Sequence, residues 1–239
     1  MKTLTVNQIL TRVATAVGVG DGSVSDPYSS NEKMFVQMRG LLQDAGDELV
    51  KLYDWEILQK EESFTTTTDP SYPFPADFDR MIPGTHWNQA SDLPLGGGMS
   101  PQDWQYVQNS GIVGTTLYAS FRKKEGALFI WPVESGIQVI YEYISRDWVQ
   151  SSVGVLGDEI SAGSDVVLFD SALIRNYLRA KFYEAKGFDT VAPEKVASMF
   201  FNSAMATDSS NKILNFGGAR REHPLLTGNR NVPDTGYGS

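Results

Sequence analysis

The sequence predicts an α+β fold: a helical bundle interrupted by a β-rich insertion and followed by an extended C-terminal arm. Three observations carry this prediction. Apolar residues recur at three- and four-residue spacing towards both ends of the 239-residue chain, β-branched and alternating stretches dominate its middle, and the final stretch has no apolar period. The resulting division is residues 1–58 and 150–216 for the two parts of the helical domain, 59–149 for the insertion and 217–239 for the arm.

The first helix is predicted over residues 6–17, where Val6, Ile9, Leu10, Val13 and Val17 line one face. Thr5 with Gln8 has the form of a capping box, and Gly18 can close the far end. A loop rich in Gly and Ser, containing Pro27, precedes a longer helix reaching about residue 53. Its predicted face is Met34, Met38, Leu41, Leu42, Ala45, Leu49 and Leu52, with Ser29 and Glu32 as a second capping box. Gly40 and Gly46 inside it each cost on the order of 1 kcal/mol relative to Ala, and close approach of a neighbouring helix would explain them.

From Trp55 onward the composition turns to β. Residues 63–68 are rich in β-branched residues, residues 115–122 and 127–131 flank a turn as a hairpin, and residues 137–144 form a strand covered on both faces or lying at a subunit contact. Ser100-Pro101-Gln102-Asp103 opens a short helix to about Asn109. Helix returns after Asp170, an N-cap, with Leu173, Ile174, Tyr177, Leu178, Phe182 and Ala185 on one face and Gly187 as its close. Pro193 starts a last helix carrying Val196, Met199, Phe200 and Ala204 to about Thr207. The arm, with its Gly, Pro and three Arg residues, cannot build a core and orders only along a partner.

Composition narrows the function. Cysteine is absent, which removes disulfides, thiol nucleophiles and cysteine metal sites. A net charge of −9 opposes a phosphate-gripping surface and suits a surface past which DNA slides. The N-terminus lacks the apolar run of about 7 to 15 residues of a signal peptide, and no window approaches the roughly 20 apolar residues of a membrane span. Synthesis and assembly in the cytosol, without membrane contact, are expected.

Catalytic signatures are missing. His86 and His223 have no metal-ligand spacing, and there is no HExxH, GxSxG, Walker A or GxGxxG motif. No cofactor is expected. Gly96-Gly97-Gly98 reads as a flexible loop before a helix rather than an anion cradle, because no Lys or Arg follows to complete it. Asp44, Asp47, Glu48, Asp54, Glu61, Glu62 and Asp69 read as solvated faces; a catalytic pair would need one member buried in a cleft. Trp87, Trp104, Trp131, Tyr141, Tyr143 and Trp148 are expected in the core or at a subunit interface rather than on a sugar platform.

Several segments together resemble a known family. Trp55-Glu56-Ile57-Leu58, the Thr65 to Thr68 run, Tyr72-Pro73-Phe74-Pro75-Ala76-Asp77-Phe78-Asp79-Arg80 and Trp87 come first. Leu95-Gly96, Ser100-Pro101-Gln102-Asp103-Trp104, Ile130-Trp131-Pro132 and Tyr141-Glu142-Tyr143-Ile144-Ser145 with Trp148 follow, then Phe169-Asp170, Leu173-Ile174 and Ala185-Lys186-Gly187-Phe188-Asp189. In this order they resemble the head-to-tail adaptor (connector) proteins of tailed bacteriophages, of the short-tailed type, located below the portal. The resemblance spans residues 4–218.

The resemblance implies a structural virion protein, not an enzyme, whose copies form a twelve-membered ring under the portal, meet a tail or nozzle protein below and surround part of the DNA channel. The arm would dock on the portal or a neighbour through Arg220, Arg221, His223, Leu225, Leu226 and Arg230. A tail-associated cell-wall hydrolase and a carbohydrate-binding module are the alternative functions.

Overall fold

The computed structural model describes residues 3–18, 24–89, 93–109, 119–133 and 135–208. The predicted docking residues from Arg220 to Arg230 lie outside them. The described residues have an α+β fold, with five α-helices and short antiparallel strands.

A two-residue strand, β1 (Leu4–Thr5), leads into α1 (Val6–Val17). The Thr5 hydroxyl accepts from the Gln8 N–H, the Gln8 side chain accepts from the Thr5 N–H, and Gly18 closes the helix in the left-handed conformation. The long helix α2 covers Lys33–Leu52, but no capping box starts it: Glu32 is the cap residue and makes no side-chain cap bond, while the Ser30 hydroxyl accepts from the Glu32 N–H. Its buried face is Phe35, Met38, Leu42, Ala45, Gly46, Leu49 and Val50; Leu52, expected on it, is exposed.

A 3₁₀ turn, Glu56–Leu58, opens the β block. Its strands are β2 (Gln59–Thr65), β3 (Ser71–Pro73), β4 (Phe78–Met81), β5 (Trp87–Asn88), β6 (Leu93–Pro94), β7 (Ser120–Lys124), β8 (Ala127–Trp131) and β9 (Gln138–Ser145), with α3 (Pro101–Asn109) between β6 and β7. Then come β10 (Val149–Gln150), β11 (Leu156–Gly157) and β12 (Val166–Val167). The strand expected from residue 63 starts four residues earlier, because all of β2 pairs with β9 from Gln59↔Ile144 to Thr65↔Gln138. Pairing with a long buried strand overrides the weak β propensity of Lys60-Glu61-Glu62.

β9 is the centre of its sheet: β2 lies along one edge, β4 and β5 along the other. β3, β8 and β7 form a second sheet, in which β7 and β8 are a hairpin whose first strand reaches Lys124, two residues beyond the expected end, while residues 115–118 of the expected strand lie outside the described residues; β1, β12, β10 and β11 form a third sheet. The last helices are α4 (Ser171–Lys186), capped by the Asp170 carboxylate and closed by Gly187, and α5 (Val191–Asp208). Ala185, expected on the inner face of α4, is exposed.

The inner face of α5 also differs from the expected one. Pro193 and Ala197 are buried, with Phe201, Ala204 and Met205 packed against the core, whereas Met199 and Phe200 point outward at 63% and 39% exposure. Apolar residues occupy both sides of this helix, so spacing alone does not choose the inner one.

Two apolar cores result. One joins α1, α2 and α4 to Trp55, Leu58, Ile144, Trp148, Val149, Val167 and Phe169. The other fills the β block with Met81, Leu95, Phe121, Leu128, Ile130, Val139, Tyr141 and Tyr143.

Candidate assembly surface

The stretch from Asp77 into β4 fastens the β block to the end of α2. A helix leaves its last carbonyls without intrahelical partners, and Arg80 supplies donors to them. Its Nη1 donates to the Val50 carbonyl at 2.9 Å and its Nη2 to the Tyr53 carbonyl at 2.8 Å. Asp54 at 2.7 Å and Asp79 at 2.7 Å hold the guanidinium in place. The planar fork of Arg suits this many-fold role better than a point charge would.

Three residues earlier, Asp77 gathers the opposite end of the same segment. Its carboxylate accepts from Lys60 at 2.5 Å, from the Ser145 hydroxyl at 2.7 Å and from the Tyr143 hydroxyl at 3.1 Å. Its backbone carbonyl accepts from the Arg146 N–H at 2.8 Å. Burial pushes the Asp77 carboxyl up, but the donors from Lys60, Ser145 and Tyr143 outweigh it and hold the group below the usual carboxylate range. Asp147, 3.7 Å from Lys60, is raised instead by burial, opposed by Lys60, with Asp77 and Asp158 adding to the rise.

The aromatic residues singled out in the sequence do not form one surface. Trp148 is fully buried beside α2, its Nε1 donating to Asp47 at 3.0 Å, and it stacks on Phe169. Trp55 joins the same cluster, edge-on to Phe169 and Phe201. Tyr141 and Tyr143 lie in the β core with ring centres 6.3 Å apart. Trp104 is buried on α3, while Trp87 and Trp131 are half-buried on β5 and β8.

The carboxylates expected on solvated faces include four with partners, the first of them Asp69, which accepts from the Ser71 N–H at 2.9 Å. Asp47 accepts from Trp148, Asp54 from Arg80, and Glu48 from Lys181 at 2.6 Å and Tyr177 at 2.8 Å. Gly96-Gly97-Gly98 is not a free loop either: Gly96 exchanges backbone hydrogen bonds with Ala119 and Phe121, and Gly97 packs on the Phe121 ring. The Gly96 N–H is therefore unavailable to an anion. His86 is buried against Phe121, and its Nε2 has no hydrogen-bond partner among the described residues. No cluster of His, Asp and Glu among the described residues could hold a metal, and no described helix is long and apolar enough to cross a membrane.

A cleft of about 650 Å³ beside α2 carries mixed charges from Arg39, Lys51, Arg146, Asp79 and Glu159. A second groove, of about 640 Å³, runs between α2, α4 and α5 over Leu52, Ala197 and Phe201. Uncharged side chains stand clear of the surface at Val153 and Val155, between β10 and β11, and along the outer side of α5. Sequence spacing gave no signal for the Arg80 clamp, although Arg80 lies in a segment that carried the family resemblance.

Among known families, that of the SU10 adaptor protein matches residues 4–221. Arg220 and Arg221 fall inside the match, and His223, Leu225, Leu226 and Arg230 beyond it. No curated protein matches the chain.

Proposed function

We propose that this chain, which belongs to the SU10 adaptor protein family and is a phage head-to-tail adaptor of the virion neck, works by closing into a ring of twelve copies beneath the portal. The ring joins the DNA-filled head to the tail or nozzle protein below and surrounds part of the DNA channel. The family match, which covers nearly the whole chain, is the observation that carries this reading.

Three features support it physically. The carboxylates Asp47, Glu48, Asp54 and Asp77 are bound to structural donors, which leaves them fastening elements together rather than facing a substrate. The net charge of −9 keeps a channel wall from gripping the phosphate backbone, so DNA passes without specific binding. The arm concentrates Arg220, Arg221 and Arg230 on an otherwise acidic chain, and Leu225 and Leu226 add apolar anchors. Docking of that arm on the portal makes ring formation conditional on a finished head and places assembly in the host cytoplasm.

Deletion of residues 217–239 tests this. The shortened protein is expected to lose its binding to purified portal rings while keeping its fold by circular dichroism. Binding of unchanged affinity would contradict the docking role of the arm.

A further inference from the structure

A ring of identical subunits needs two different surfaces on each copy that fit one another, because the same patch meeting itself gives a two-fold dimer and stops. Exposed apolar side chains stand at several places among the described residues, Leu52, Ile57, Tyr106 and Phe188 included, and two groups of them lie on separate elements. One is the tip between β10 and β11, where Val153, Val155 and Leu156 are 82%, 65% and 37% exposed. The other is the outer side of α5, where Ala192, Met199, Phe200 and Ala206 are exposed.

The tip is held in one shape. The Ser151 N–H donates to the Val155 carbonyl at 2.8 Å, the Gly154 N–H to the Ser151 carbonyl at 2.9 Å, and the Val155 N–H to the Ser151 hydroxyl at 3.1 Å. Gly154 has φ of 87°, a conformation that glycine adopts without strain. A rigid tip loses little conformational freedom on docking. Exposed apolar side chains held firmly at a projecting turn mark a contact surface.

Charge decides the occupant. Copies of a chain with net charge −9 repel one another, so they meet best where each carries little charge. Residues 150–157 contain no charged side chain. The 18-residue helix α5 has three, of which Glu194 faces the groove beside α4, Asp208 is its last residue and accepts from the Glu56 N–H, and Lys195 flanks the outer stripe with a charge opposite to the chain's own. We propose that the tip around Val153 of one copy packs on the outer side of α5 of the next, as the heterologous contact that closes the ring. This rests on the ring reading above and names its interface.

The chain has no cysteine, so a single introduced thiol can be labelled at one place. Val153→Cys, at an exposed position that leaves the fold intact, is labelled with benzophenone maleimide, mixed as full-length protein with the phage's portal rings, irradiated and mapped by mass spectrometry. The proposal expects adducts on α5 peptides of a second copy, and the reciprocal Met199→Cys label expects adducts on residues 150–157. Adducts instead on another tip, on residues 209–239 or on the portal protein would overturn it. Val153→Asp places an unpaired charge in the contact and is expected to cut the Met199→Cys adduct at least about tenfold. Rings seen by electron microscopy without tip-to-α5 adducts would sink this interface and leave the ring reading standing; absence of both rings and adducts would remove both.

Discussion

The ring of Trp148 fills the space that a side chain on Gly46 would need. A Cβ built at position 46 would fall well under 3.0 Å from three carbons of that ring, and the adjacent Asp47 accepts the Trp148 Nε1–H at 3.0 Å. Helix α2 and the chain leaving β9 are thereby locked at one register. The glycine is there for a tryptophan from the β block, and not for a neighbouring helix as its position in the sequence suggests.

Substitution at the two glycines of α2 should therefore have opposite signs. Gly46→Ala forces the buried indole to move and should cost about 1–3 kcal/mol. A Cβ on Gly40 meets nothing within 4 Å, so Gly40→Ala should stabilise by roughly 0.5–1 kcal/mol through helix propensity alone. Urea denaturation of both variants, compared at equal slope, checks this. Equal effects would mean that Trp148 does not occupy the notch.

Arg80 should prove irreplaceable by lysine. Arg80→Ala leaves the Val50 and Tyr53 carbonyls and the Asp54 carboxylate without their donor and should cost about 1–3 kcal/mol. Arg80→Lys keeps the charge but not the fork, so it should recover less than half of that loss. Full recovery in thermal unfolding would reduce the clamp to simple charge attraction.

Acidification should lower the unfolding free energy over two separate pH ranges. Burial, with a smaller contribution from Lys123, lowers the His86 pKa below its ordinary value of 6.5. The unfolded chain then binds a proton that the folded chain refuses, so stability falls as pH drops below about 6.5. Asp77 is held below its ordinary value of 3.8, so its contribution is present above that pH and is lost as pH falls further. Asp147, raised, works with the opposite sign and blunts the second stage. Unfolding free energy measured from pH 7 to pH 3 should lose its first stage in His86→Phe and its second in Asp77→Asn. A wild-type profile flat between pH 6.5 and 5 would contradict the assignment of the first stage.

Most local signals in the sequence hold in the structure, the Ser29–Glu32 capping box excepted, and long-range ones are invisible. Thr5 with Gln8, Asp170, Gly18 and Gly187 set helix ends through neighbours within a few residues, and all four act as their residue types predict. The alternation over residues 137–144 likewise predicts the central strand, which runs from Gln138 to Ser145. The face of α5 was misread because Val196, Met199 and Phe200 compete with Ala197, Phe201 and Met205 at equal spacing, and only packing against the core separates them. The Arg80 clamp and the Trp148 notch join residues about 30 and 100 positions apart. No local pattern encodes such pairs. The exposed Val153 tip leaves no mark in the sequence for a related reason, since burial and not residue type makes it unusual.

Electron microscopy of the full-length protein mixed with its own portal tests the assembly claim most directly. The expected image is a closed ring of this chain, with an open central channel, seated on one end of each portal. A stable mixture of bare portals and free monomers would contradict it.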